Sequence, residues 1–473
     1  MHKGRDDLIS PEEAEKGVEI VSKICGVDKE KIHYPTVECN GPSISEYKFD
    51  YFPPSLLHTD FKYEIKFINC KFGSWEDFNL YNTSNNFLVF VNCEFDYICL
   101  NNDLVTDNTF KLNNKLYFFG CKFNGDIDIG KANINGEIKF NGCTFKDVFY
   151  FDIKEYLANI KIKNCIFYKS FFMSGNFKNE ARFDNSIFKD YVDFHECEFK
   201  KTACFYGVRF DKTPNFSQAI FKENLNVVNT NLNFTFGNLQ ERIKQEYKDF
   251  NKTKEKKSLD KFANDFRDSF RTFKNALIKD NNLLDASNFH KYELYCKELE
   301  LKFKKLKIFS REWIEKWQLF FYRKLCDHHT DLLLNLRWLV VVVGFFVSVL
   351  FALRYGDGNL LQFFNKDNDL LKMLKDMLNI KALNDSNVTY LILLYSFIGL
   401  FFVRTFFIFY YLVIFILMLA ISPYNLFSVV NFVAKGKLNS FLENIIMVTY
   451  ALIMILVLFS LQKTARKSSI VPS

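Results

Sequence analysis

The apolar positions between residues 129 and 232 recur at steps of five and six residues that mostly alternate. An α-helix repeats every 3.6 residues and a simple strand every two, so neither element explains this spacing. A β-solenoid does, if each turn has four short sides and about 22 residues. The ladder, in which Phe is the most frequent residue, consists of Ile129, Ile134, Phe140, Phe145, Phe151, Tyr156, Ile162, Phe167, Phe172, Phe177, Phe183, Phe188, Phe194, Phe199, Phe205, Phe210, Phe216, Phe221, Val227 and Leu232.

A second row of mostly small residues lies two positions before the large ones. Each side of a turn therefore offers one large and one small residue to the interior. Stacked turns should place Phe above Phe along the axis, where each ring buries on the order of 150–250 Å². The small row consists of Ala132, Cys143, Cys165, Ser170, Gly175, Ala181, Ser186, Cys197, Ala203, Ala219 and Thr230.

Several units join a small first residue to Phe at the third position: Cys143-Thr144-Phe145, Cys165-Ile166-Phe167, Ala181-Arg182-Phe183, Ser186-Ile187-Phe188, Cys197-Glu198-Phe199, Ala203-Cys204-Phe205 and Ala219-Ile220-Phe221. These units resemble the pentapeptide-repeat family, and the resemblance implies a right-handed quadrilateral β-helix. The chain departs from the family by a sixth residue in nearly every second unit, which we interpret as bulges at corners, and by Phe where Leu is usual. Looser units at Cys70, Cys93 and Cys121 extend the predicted β-helix to residues 61–235, about seven turns.

Half of the twelve cysteines occupy the small position: Cys70, Cys93, Cys121, Cys143, Cys165 and Cys197. They could be metal ligands, a disulfide ladder or compact apolar fillers. The same row also accepts Ala, Ser, Gly and Thr, which a ligand or bridging position would not, so we interpret them as fillers. Reduced thiols favour the cytoplasm.

Charge is distributed unevenly along the chain. Residues 61–235 contain 21 Lys and Arg against 21 Asp and Glu, whereas residues 236–325 contain 22 against 14. Some pentapeptide-repeat proteins mimic DNA through an acidic exterior, and a neutral solenoid lacks that field. A nucleic-acid-related role is therefore not expected.

The segments that flank the repeats are predicted to be helical. Residues 1–60 form an N-terminal helix and cap, with Ser10 and Pro11 at the helix start and no secretion signal. Residues 236–330 form a basic connector, in which Leu259, Phe262, Phe266, Phe270, Phe273 and Leu277 make an amphipathic stripe. Part of the connector resembles the helical segment of bacterial pentapeptide-repeat membrane proteins, at Phe266, Arg267, Lys274, Asn282, Asp285, Ala286, Phe289 and Glu293.

The end of the connector combines basic and aromatic residues next to an apolar segment. Nucleic acid is a competing partner for such a stretch, but the adjacent apolar segment favours an interfacial helix on anionic lipid. The candidate headgroup-binding residues are Lys304, Lys305, Lys307, Arg311, Trp313 and Trp317.

Residues 331–473 are predicted to form a transmembrane domain of about four spans, 332–353, 388–403, 405–421 and 444–462. The basic connector and the basic C-terminal tail both favour the cytoplasmic side, which requires an even number of crossings. Three crossings, with Lys435 and Lys437 inside, is the alternative.

Arg404 is the single charge in the apolar run of residues 388–421. A charge within a membrane segment marks a functional position by default, but a turn at the membrane surface or snorkelling is the favoured explanation over pore lining. The candidate pore or gating residues are Arg404, Thr405, Ser396 and Tyr410.

Catalytic, cofactor and metal motifs are not recognised in the sequence. The histidines form no ligand set with carboxylates, and the group Cys326-Asp327-His328-His329 is not expected to bind metal because adjacent residues of one helix point apart. No phosphate loop or nucleophile elbow is found. An enzyme is therefore not expected.

The sequence predicts a multi-pass protein of a bacterial inner membrane with its β-helix in the cytoplasm. The resemblance to bacterial repeat proteins with membrane helices favours an oligomeric ion channel or channel-like effector, assembled or gated by the solenoid. The alternative is a non-conducting anchored scaffold that presents the β-helix to a cytosolic protein. The expected partners are membrane lipid and further copies of the chain.

Overall fold

The computed structural model describes residues 11–33, 41–61, 64–76, 83–100, 110–232, 234–250, 257–355 and 441–465. The chain divides into two compact units, Met1–Lys316 and Trp317–Pro472. The first unit contains a β-solenoid of about eight turns, followed by several helices.

Most strands of the solenoid pair in parallel with the equivalent strand of the next turn, as the repeat spacing predicted. One sheet contains β1 Ile32–His33, β2 Ser43–Ser45, β4 Glu64–Ile68, β6 Phe87–Val91, β9 Lys115–Phe119, β12 Ile138–Asn141, β15 Ile160–Lys163, β18 Ala181–Arg182, β22 Ala203–Cys204 and β25 Leu225–Asn226. The other contains β3 Lys48–Tyr51, β5 Lys71–Glu76, β7 Glu94–Leu100, β8 Phe110–Leu112, β10 Lys122–Phe123, β11 Ile127–Ile134, β13 Thr144–Phe145, β14 Phe149–Tyr156, β16 Ile166–Phe167, β17 Phe171–Phe177, β19 Ile187–Phe188, β20 Val192–Asp193, β21 Glu198–Phe199, β23 Arg209–Phe210, β24 Ile220–Phe221 and β26 Asn231–Leu232.

A column of residues with a left-handed backbone forms one corner of the solenoid. Its nine members, which bound eight turns, are Glu46, Asn69, Asn92, Gly120, Gly142, Asn164, Asn185, Gly207 and Asn229. Asn and Gly tolerate this conformation better than other residues, which explains their recurrence. Parallel pairing begins at Ser43, upstream of residue 61, so the structure contains one turn more than the repeat units alone indicated.

The predicted stacking of Phe on Phe is confirmed. In one column the ring centroids of successive turns lie 4.3 to 5.3 Å apart, from Phe49 through Phe72, Phe95, Phe123, Phe145, Phe167 and Phe188 to Phe210. Each of these rings is almost completely buried. The aromatic columns therefore form a continuous core along the axis of the solenoid.

One member of the predicted ladder does not point inward. In β17, Phe171 and Met173 are buried, whereas Phe172 between them faces outward and stacks on Tyr150 at 4.9 Å. The strand is extended here, so consecutive side chains alternate between the two faces. The pairing of Phe171 with Phe149 sets this register.

Five cysteines of the small row stack in one column: Cys70, Cys93, Cys121, Cys143 and Cys165. Each side chain is at most 1% exposed. The thiols of the first four donate to backbone carbonyl oxygens of the preceding turn, all at 3.4 Å. Burial raises the pKa of the Cys121 thiol, which keeps it protonated and unreactive.

Helices lie at both ends of the first unit. Before the repeats, α1 Pro11–Cys25 precedes β1, whose antiparallel pairing with β2 interrupts the parallel ladder, and α2 Ser55–His58 follows β3. After the repeats come α3 Phe236–Phe250, α4 Leu259–Lys279 and α5 Leu283–Phe303. Phe273 of α4 packs on Phe216 at 4.7 Å and closes a second aromatic column, in which Phe216 stacks on Phe194 at 4.8 Å.

The second unit begins within α6 Arg311–Cys326 and continues with α7 Leu332–Tyr355 and α8 Phe441–Ala465. Among the described helices, only α8 contains an apolar stretch long enough to be a candidate membrane span, Val448–Ala465. The apolar stretch of α7, Leu332–Phe346, is shorter. The predicted spans 388–403 and 405–421 lie outside the described residues.

Candidate membrane-interface site

The helix α6 is held at its start by a local cap. The backbone N–H of Trp313 donates to Oγ of Ser310 at 3.2 Å, and the N–H of Ile314 donates to the carbonyl oxygen of Ser310 at 3.0 Å. Phe309 just before the cap has a left-handed backbone, with φ of 63°. This turn ends the preceding basic segment and sets where the first side chains of α6 project.

Large apolar side chains of α6 and of the turn before it are exposed. Ile308 is 72% exposed, Phe309 80% and Trp317 51%. Ile314, Trp317 and Phe321 recur at steps of three and four, so they lie along one side of the helix. An exposed apolar stripe of this kind marks an interaction surface.

Basic side chains precede the stripe along the chain. Of the predicted headgroup-binding residues, Lys304, Lys305, Lys307 and Arg311 are all exposed. Lys304 Nζ already pairs with Oε1 of Glu312 at 2.5 Å. Trp313 and Trp317 follow these basic residues along the chain. An amphipathic helix with this composition suits the boundary between lipid headgroups and acyl chains.

The group Cys326 to His329 does not lie on one helix, contrary to the geometry assumed from the sequence. Asp327, His328 and His329 each have a positive φ, so the chain turns back after α6. Sγ of Cys326 consequently lies 3.5 Å from Nδ1 of His329. Among the residues that the structure describes, no group of three or more His, Cys, Asp or Glu could hold a metal ion.

A buried polar cluster joins α7 to α8. The Asn335 side chain, fully buried, donates through Nδ2 to Oγ of Ser460 at 2.9 Å and to Oγ1 of Thr464 at 3.4 Å. Nδ1 of His329 lies 3.3 Å from the same Thr464 hydroxyl. Sequence reasoning missed this cluster; its one local signal is a polar residue, Asn335, beside an apolar stretch.

The predicted pore residues Arg404, Thr405, Ser396 and Tyr410 lie outside the described residues.

A cavity of about 350 Å³ lies between the last turns of the solenoid and the helices α3 and α4. Its polar wall includes His195, Ser217 and Glu246, and its apolar wall includes Phe262 and Phe266. Nδ1 of His195 lies 2.8 Å from Oγ of Ser217, the equivalent position one turn later.

A comparison of the chain with family models, with curated proteins and with solved structures found no match.

Proposed function

We propose that the chain is an integral membrane protein that anchors a cytoplasmic β-solenoid and presents the sides of that solenoid to a cytosolic protein. The observation that carries this proposal is the helix α6, which combines an exposed aromatic and aliphatic stripe with flanking basic residues next to the apolar helices α7 and α8. Such a helix lies in the membrane interface, and an apolar helix of the length of α8 enters the bilayer.

The solenoid is proposed to be a right-handed, four-sided β-helix of the pentapeptide-repeat type, in a multi-pass protein of a bacterial inner membrane. The stacked Phe column and the recurring left-handed corner support the comparison with that family. Additional spans within residues 388–421 would complete the membrane domain.

Three features favour an anchored scaffold. Helices pack at the ends of the solenoid, so its sides are the surfaces left for a partner. Ion pairs between turns, such as Lys71 with Glu94 and Lys201 with Glu223, leave these sides with balanced charge. In the membrane unit, the polar groups of Asn335, Ser460 and Thr464 hydrogen-bond to one another across the helix pair, as packing contacts between membrane helices do.

A second candidate function is an oligomeric ion channel or channel-like effector. The observation that favours it is Oδ1 of Asn335, which is buried and has no hydrogen-bond partner among the described residues. An unsatisfied acceptor beside apolar helices suits a water-filled or ion-conducting path better than a lipid-facing anchor. The sequence position of Arg404 adds to this candidate.

Tryptophan quenching tests the anchoring. The chain contains four tryptophans, and Trp75 lies in the core of the solenoid. Two variants, one retaining only Trp317 and one only Trp75, are reconstituted into vesicles that contain anionic lipid with brominated acyl chains. We expect strong quenching of Trp317 and none of Trp75. Equal, weak quenching of Trp317 and Trp75 would contradict the proposed position of α6 in the membrane interface.

Conductance in planar bilayers separates the two candidates. The scaffold predicts no discrete currents from folded, oriented protein. Discrete currents that change in the Arg404→Ala or Asn335→Leu variant would establish the channel and remove the scaffold as the leading proposal.

A further inference from the structure

The joint between the solenoid and α3 places two carboxyl groups against one phenol. Oη of Tyr191 lies 2.9 Å from Oδ2 of Asp193 and also hydrogen-bonds to Oε1 of Glu246 on α3. Tyr191 is 6% exposed, so water does not substitute readily for either contact. A phenol has one proton and can donate it to only one acceptor. The second contact therefore requires a proton on one of the carboxyl groups.

The surroundings assign that proton to Asp193. Glu246 forms an ion pair with Arg242, whose guanidinium also lies over the ring of Tyr191. Burial, followed by the negative charge of Glu246, raises the pKa of Asp193. In this arrangement the Asp193 carboxyl donates to Tyr191, and Tyr191 donates to Glu246.

The cations around the cluster already have carboxylate partners. Lys212 of the solenoid pairs with Asp190 at 2.5 Å, and Lys257, which precedes α4, pairs with Asp265 of that helix. Other titratable neighbours of Asp193 on the solenoid include His195, whose backbone N–H donates to Oδ1 of Asp193 at 2.7 Å, and Glu196, whose carboxylate lies 3.5 Å from Nε2 of His195. Cys197 is a further one, and burial, followed by the charge of Asp193, raises the pKa of its thiol.

We propose that Tyr191, Asp193 and Glu246 form a proton-operated latch that holds α3 against the solenoid and is closed while the Asp193 carboxyl is protonated. Loss of the proton leaves two carboxylates competing for one phenol proton and one guanidinium, which weakens the attachment of α3. Glu246 also lines the cavity between the solenoid and the helices α3 and α4. The latch lies within the first unit and does not depend on the proposed membrane anchoring.

The direction of the pH effect follows from the raised pKa of Asp193. The latch contributes fully below the pKa of an unfolded aspartate, about 3.9, and its contribution is lost as the pH rises through the higher value in the folded chain. The attachment of α3 should therefore be strongest in acid and weakest at alkaline pH.

Hydrogen exchange of the α3 backbone, measured on the full chain in lipid nanodiscs and corrected for the intrinsic rate at each pH, tests the latch. For each pH unit across the transition, protection of the amides around Leu239 and Ile243 should fall by about tenfold. In the Asp193→Asn variant, which keeps the shape and cannot ionise, we expect protection that does not vary with pH. Glu246→Gln should weaken the dependence, because it removes the opposing charge while the burial of Asp193 remains.

Glu241→Gln on the exposed side of the same helix is the matched control and should retain the wild-type pH dependence. Wild-type protection that does not vary with pH would overturn the latch. An unchanged pH dependence in both Asp193→Asn and Glu246→Gln would overturn it too, since the titrating group would then lie elsewhere.

Discussion

At the residue scale, the sequence indicates the corner positions of the solenoid, because Asn or Gly precedes the small residue in turn after turn, as in Asn69-Cys70 and Gly142-Cys143. The orientation of the Phe172 side chain could not be predicted from the sequence. Phe171, Phe172 and Met173 are all apolar, so composition does not say which of them faces inward; pairing with the neighbouring strand decides.

Two glycines allow the cost of a left-handed backbone to be measured separately from the cost of a steric clash. Gly142 has φ of 68°, and a Cβ there would meet nothing within 4 Å. Gly136 has no positive φ, but a Cβ there would lie 1.8 Å from the carbonyl oxygen of Asn114. We expect Gly142→Ala to cost about 1 kcal/mol of unfolding free energy and Gly136→Ala about 3 kcal/mol. Chemical unfolding followed by fluorescence of Trp75, as the single tryptophan, measures both. Equal costs would contradict the corner geometry.

At the element scale, local patterns predicted the helices and the basic part of the α6 site, but not contacts between distant segments. The amphipathic stripe of residues 259–277 is α4, and its phenylalanines are buried as expected. The exposed Ile308 and Phe309 were not predicted to belong to this site, because two adjacent apolar residues in a basic stretch form no periodic pattern. Asn335 could not be paired from the sequence, since Ser460 lies 125 residues away.

The hairpin of α4 and α5 should lose stability in strong acid. Burial alone would raise the pKa of Glu293, but hydrogen bonds from His290, Lys274 and Arg271 hold it at about 2. A lowered pKa stabilises the folded state above the ordinary value near 4.5, and this contribution is lost as the pH falls through about 2. At pH 7, Glu293→Gln should cost about 2–3 kcal/mol.

Hydrogen exchange of the α4 and α5 amides measures this loss. The variant and the wild-type chain should converge near pH 2, and Asp280→Asn at the exposed end of α4 should change little at any pH. A wild-type hairpin as well protected at pH 2 as at pH 7 would show that the Glu293 network contributes nothing.

At the scale of the whole molecule, regular repetition made the solenoid predictable, whereas the arrangement of the apolar C-terminal helices could not be predicted. Each turn reuses the same few positions, so about eight turns supply many independent signals for one architecture. The apolar C-terminal part offers only hydropathy and charge, which predict spans and orientation but not how helices associate. The order of preference between channel and scaffold therefore depends on polar contacts, such as that of Asn335, that only the structure revealed.

The central claim is that a cytoplasmic solenoid is anchored in the membrane, and sidedness labelling tests it most directly. A Lys201→Cys variant carries an exposed thiol on the solenoid, with Cys25, Cys39 and Cys99 replaced by Ser, while buried Cys143 serves as the internal control. We predict reaction with a membrane-impermeant maleimide in inside-out vesicles and not in right-side-out spheroplasts, with the protein retained in the membrane after alkaline carbonate extraction. Labelling of intact spheroplasts, or release by carbonate, would contradict the account.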